Sequence, residues 1–113
     1  MYKWPDKDKD EIVDYSIDWS RFLDTDTIAG ATWFVHDATD VKTQMADAQV
    51  VNGLQFVTGT ATSTVATARF SLGTNNVRYK VTCQVTTAQG LQYEASVYLR
   101  IKEQRWLTIT LPL

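Results

Sequence analysis

The chain has 113 residues, 44% of them apolar, and a formal net charge of −2. That suffices for one domain with a buried core, or one domain with tails. The slight acidity argues against a dedicated nucleic-acid binder, which shows a basic face, and no run approaches the roughly 18 apolar residues of a membrane span.

Residues 1–11 are a charged lead-in of mixed sign with Pro5, expected as an exposed N-terminal arm. They hold no apolar signal-peptide core, so the expectation is a protein folded in the cytoplasm. Trp4 stands out, because an aromatic in a polar arm usually docks on something. Ile12 to Trp19 reads as the first strand: Val13, Tyr15, Ile17 and Trp19 share one face, and Asp14, Ser16 and Asp18 share the wet one. Ser20-Arg21-Phe22-Leu23 fits one helical turn capped by Asp18 or Ser20. Phe22 and Leu23 would then cover one end of the core. Asp24 to Thr27 is turn chemistry.

Ile28 to His36 is apolar on both faces, as a covered strand is, with Gly30 marking a bulge. Trp33 is expected to point inward in preference to Phe34. Asp37 to Asp47 fits a helical spacing of Val41 and Met45, or a loop with a short strand. Ala48–Val51 and Leu54–Thr58 flank Asn52-Gly53, a strong hairpin turn signal. A further strand runs from about Thr64 to Ser71.

The stretch from Val77 to Lys102 carries the clearest pattern. Tyr79, Val81, Cys83 and Val85 alternate with polar residues, and so do Tyr93, Ala95, Val97, Leu99 and Ile101 beyond Ala88-Gln89-Gly90. Two period-2 runs joined by a short Gly-bearing link predict a hairpin. After a polar break, Leu107, Ile109, Leu111 and Leu113 alternate with Thr108, Thr110 and Pro112. This tail reads as a strand built to bury one face, in its own sheet or a neighbour's.

Seven to eight short strands with regular turns predict an all-β fold, an immunoglobulin-like antiparallel β-sandwich spanning 12–102, with arms at 1–11 and 103–113. A small barrel is the alternative. With Cys83 the single cysteine, no intrachain disulfide can form and packing alone must hold the sheets. Tyr79 lies four residues before Cys83, whereas the tyrosine corner of immunoglobulin folds sits two before.

No set of residues assembles a catalytic site, a metal site or a cofactor site. His36 and Cys83 would need to meet, yet both fall mid-strand with Cys83 facing the core. Asp6, Asp8, Asp10, Glu11 and Asp14 superficially resemble a calcium loop. Its sixth and twelfth positions are Glu11 and Ile17, where Gly and Glu are required, and Lys7 and Lys9 interleave. There is no phosphate loop and no nucleophile elbow. Arg69, Arg78, Lys80 and Arg100 are read as sharing one wet sheet face with Thr82, Gln84 and Glu94. Trp19 and Trp33 are core candidates. Trp4 and Trp106 fall in the arms, where tryptophan serves either as an interface anchor or as a cap folded back on the domain. The partner-interface candidates are therefore Trp4, Trp106, Leu107, Ile109 and Leu111.

Trp4-Pro5-Asp6-Lys7-Asp8, Glu11, Asp14-Tyr15-Ser16-Ile17-Asp18-Trp19, Asp26-Thr27-Ile28 and Trp33 resemble the opening of small structural proteins of tailed bacteriophages and prophages. Tyr79-Lys80-Val81-Thr82, Val85-Thr86-Thr87 and Gly90 are similar to its second half, although that pattern is shared by many immunoglobulin-like domains. Lys9 departs from the family, where Pro is expected. The resemblance implies a virion protein of the fiber–tail adaptor type, or a neck, tail or decoration protein, with no enzyme activity and no cofactor. It implies partners among other virion proteins (fiber, tail, neck or capsid), with self-association also open, and neither nucleic acid nor membrane. A receptor- or carbohydrate-binding module is the alternative, with Tyr98, Arg100 and Glu94 as its candidate face.

Overall fold

The computed structural model describes residues 2–103. Trp106, Leu107, Ile109 and Leu111, with nearly all of the expected tail 103–113, lie outside the described residues. Nine strands and one helical turn follow in order: β1 Tyr2–Lys3, β2 Val13–Asp18, α1 Ser20–Leu23, β3 Ile28–His36, β4 Lys42–Gln44, β5 Gln49–Val51, β6 Leu54–Ala61, β7 Val65–Leu72, β8 Arg78–Thr87 and β9 Gln92–Arg100. They form two sheets, β1-β9-β8-β3-β4 and β2-β7-β6-β5. All pairings are antiparallel except β1 on β9 and the single bridge Lys7–Ile101. This is an immunoglobulin-like β-sandwich. The neighbours β2-β7-β6 correspond to strands B, E and D of that fold, and β3-β8-β9 to C, F and G.

The correspondence extends to the core. Trp33 on β3 occupies the strand with the core tryptophan of immunoglobulin domains, and its cross-strand partner on β8 is Cys83. Both are buried. Where those domains carry a disulfide between B and F, β2 here supplies Tyr15, and aromatic packing takes the place of the covalent link. Tyr15, Trp19, Trp33, Phe56, Phe70, Tyr79, Val81 and Leu99 all lie in one continuous core.

The strands form where residue alternation demands them. Tyr79, Val81, Cys83 and Val85 are buried along β8, which pairs with β9 without a register break from Arg78–Arg100 to Thr86–Gln92. The bulge expected at Gly30 falls between Ile28 and Gly30. Asn52 (φ 51°) and Gly53 (φ 87°) both adopt the left-handed conformation of a tight hairpin turn between β5 and β6. Tyr79 lacks the usual tyrosine-corner spacing yet ties a similar knot. Its hydroxyl donates to the Asn52 carbonyl at 2.6 Å and accepts from the Thr74 N–H at 2.9 Å.

Several expectations change. Residues 2–7 do not project as an exposed arm. They run along the outer edge of β9, with the N–H of Trp4 donating to Tyr98 O and that of Lys7 to Arg100 O, each at 3.0 Å. Leu23 caps the core as expected, but Phe22 remains 62% exposed. The α1 turn has no side-chain cap, although Asp18 Oδ1 accepts from the Ser20 N–H at 2.9 Å. Between Asp37 and Asp47 the chain forms β4; Met45 is buried and Val41 exposed. Arg69 does not share a face with Arg78, Lys80 and Arg100. It lies on β7 of the other sheet, where it forms a bidentate pair with Asp14 of β2 at 2.8 and 3.1 Å.

Candidate functional site: the open side of the sandwich

A sandwich of two sheets has two open sides, and here the side between β2 and β9 is built from aromatic residues. Trp4 closes its lower half. Its ring stacks on Tyr15 (centroids 4.9 Å apart) and tilts against Trp33 and Phe70 at 6.1 Å each. Its indole N–H donates to Ser16 O at 3.2 Å on the outer edge of β2. The Tyr15 hydroxyl donates to Pro5 O at 3.0 Å. Burial, followed by the nearby Glu11 and Asp6 carboxylates, pushes this phenol up to about 12.

Lys7 fastens the same segment below. Its side chain is fully buried, and Nζ donates to the carbonyls of Asp8 (2.8 Å) and Leu72 (2.7 Å). Burial lowers its pKa, while Glu11, Asp8 and Asp10 pull the other way. The backbone is stitched on both sides, since Lys7 O accepts from the Lys102 N–H at 2.9 Å. The acidic residues around it are occupied with local turn bonds: Asp8 Oδ1 accepts from the Asp10 N–H, and Glu11 Oε1 from the Asp8 N–H. Among the described residues no three His, Cys, Asp or Glu side chains converge on a metal position.

Above Trp4 the side stays open as a groove of about 690 Å³. Its lining includes Ile17 and Trp19 at the end of β2, and Ala95 and Val97 on β9. Phe22 and Tyr93 stand across its mouth with centroids 6.0 Å apart, both against Trp19. Tyr2, 73% exposed, contributes from β1. Lys3, Asp18, Arg21 and Glu94 supply mixed charge to the same lining. Both bordering strands have edges only partly taken up by the N-terminal segment, through Trp4 on Ser16 O of β2 and residues 2–7 on β9. Among the described residues β2 pairs only with β7, and β9 gains a second strand neighbour only at Val97 and Tyr98. The surface can therefore take up an apolar segment and offer it backbone hydrogen bonds.

The remaining chemically active residues are dispersed. Cys83 is buried with its thiol pushed up to about 12 by desolvation, which leaves no thiolate at neutral pH. His36 lies on the other face of the sheet, where its ring nitrogens meet Thr82 Oγ1 at 2.9 Å and Asp40 Oδ1 at 3.0 Å. Neighbouring residues on a strand face opposite ways, so Thr82 holds His36 on the outer face while Cys83 turns inward. On the candidate sugar face, the Arg78 guanidinium covers the Tyr98 ring at 4.2 Å and Glu94 pairs with Lys42 at 3.3 Å.

The model of one protein family, the podophage GP4 fiber-tail adaptor protein gp77, matches residues 7–100. The chain belongs to this family. No curated protein matches it. The fiber–tail adaptor match covers the sandwich from Lys7 to the end of β9. Of the interface candidates, only Trp4 falls among the described residues, and it is taken up in its own core. Reading the sequence missed the groove aromatics. The available signal was that Phe22 falls in the helical turn after β2 and Tyr93 in the alternating run of β9, yet only folding brings them together.

Proposed function

We propose that this adaptor attaches fiber, neck or tail components to the phage particle through protein–protein contacts alone. The observation that carries the reading is the groove between β2 and β9, an apolar surface with exposed aromatic walls and partly unpaired strand edges beside it. Aromatic anchors in a partly desolvated depression are what protein interfaces use. The alternating run from Trp106 to Leu111 supplies apolar side chains of complementary pattern. Trp4 acts on the interface indirectly, by holding Tyr2 and the groove floor in place. The chain would fold in the host cytoplasm and act in the virion, with no cofactor, nucleic acid or membrane in its role.

Particle assembly tests this reading. Particles assembled without the chain should lack their fibers, and wild-type chain supplied in trans should restore them. Fiber content per particle, measured by mass spectrometry and negative-stain microscopy, is the readout. Unchanged fiber content in the absence of the chain would sink the reading.

A further inference from the structure

We propose that the β2–β9 groove is the receptor for the Trp106–Leu113 segment of a second copy, so that adaptors join head to tail. The proposal rests on the reading of the groove as a protein-binding face and names its occupant.

The first support is the pattern of the segment. Leu107, Ile109, Leu111 and Leu113 alternate with Thr108, Thr110 and Pro112, so an extended run presents these four apolar side chains to one face and Trp106 to the other. That face would meet Ile17, Trp19 and Ala95, and the threonines would face solvent. From Trp106 to Leu113 no side chain is ionisable, so the run itself carries no side-chain charge into the groove. The second support is the edge of β9. Tyr98 O and Arg100 O point outward to the N-terminal segment, where they accept from Trp4 and Lys7. Strand alternation turns the backbone groups of Glu94 to that same side, past the start of the two-residue β1, which pairs from Tyr2 opposite Val97 onward.

The third support is geometric and decides which copy donates. The described chain leaves at Glu103, whose N–H donates to Asn75 Oδ1 at the far end of the sandwich from the groove. From Ile101 back to Tyr93 is about 26 Å along β9. Residues 104–113 fully extended reach about 33–36 Å, and the direct track along β9 is already taken by residues 2–7. After doubling back, the segment would bring only its last two or three residues to its own groove. A second copy stacked on the groove end can deliver the whole run. Donor and acceptor then lie on different surfaces, which makes the contact heterologous and able to close into a ring.

The test uses full-length chain in two variants. An acceptor variant carries Tyr2→Asp and Phe22→Asp, both at exposed positions. A donor variant carries Ile109→Asp and Leu111→Asp. Circular dichroism checks folding, and sedimentation velocity measures assembly. Wild type should associate with rising concentration, and each variant alone should associate at least roughly tenfold more weakly. Mixed together, the two variants should give a 1:1 pair and nothing larger, because each retains one working surface. Four outcomes overturn the proposal: a wild type monomeric at every concentration, association untouched by either variant, a mixture that stays monomeric, or a donor variant that unfolds. The last would place the run in its own core. A chain that remains monomeric yet still loads fibers overturns this inference and leaves the adaptor reading standing.

Discussion

Trp4 stacks on Tyr15 with ring centroids 4.9 Å apart and planes inclined by 21°, inside the gap between the two sheets. The contact joins a residue eleven positions upstream to the first long strand and makes the N-terminal segment part of the domain. Trp4 is 8% exposed. Trp4→Ala should therefore cost about 3–5 kcal/mol of stability, the usual range for emptying a large aromatic site. Urea unfolding measures this. A variant as stable as wild type would return Trp4 to the role of a free interface anchor.

Lys7 presents a different dependence. Lys7→Met, which keeps the apolar volume, would remove the Nζ donor from Leu72 O and from Asp8 O, the latter still accepting from the Glu11 N–H. The expected loss is about 2 kcal/mol, the scale of charge-assisted hydrogen bonds and stranded buried acceptors. Hydrogen exchange should also accelerate at the Trp4 and Lys7 amides, because the segment along β9 loses its fastening. Unchanged exchange would mean that Trp4 alone holds it.

Tyr79→Phe removes one hydroxyl that bridges the Asn52 turn and the Thr74 N–H. The ring remains, so packing is preserved and the loss should be about 1–2 kcal/mol. The Thr74 amide is the local probe. It should lose protection more than amides in the middle of β8.

Cys83 should be inert toward thiol reagents in the native state and react only on unfolding. It also shapes the alkaline limb of stability. Its folded value of about 12 lies above the ordinary 9.0, so its contribution is full below about pH 9 and is lost as pH rises toward 12. Tyr15 acts in the same direction between 10.0 and about 12. Lys7 acts oppositely, because its lowered value makes rising pH relieve the cost of burying its charge up to 10.5. Comparing wild type with Cys83→Ala isolates the thiol. The stability difference between them should shrink progressively above pH 9, and a flat difference would contradict a thiol kept protonated by burial.

Alternation along Val13–Trp19, Tyr79–Val85 and Tyr93–Ile101 determined by itself that these segments are strands with one buried face. The side-chain period of a strand is two, and only that pairing of faces removes the apolar set from water. Asn52-Gly53 likewise determined its turn, because both positions need a positive φ. Tertiary structure alone decided the rest. The charged segment around Trp4 and Lys7 reads as a solvated arm, because neither the β9 edge nor the Leu72 carbonyl that receives it is near in sequence. Arg69 reads as part of one basic face with Arg78, yet sheet order places it opposite Asp14. The groove follows the same rule: Phe22 and Tyr93 are far apart along the chain, and it is the packing of one sheet's edge on the other that makes them neighbours.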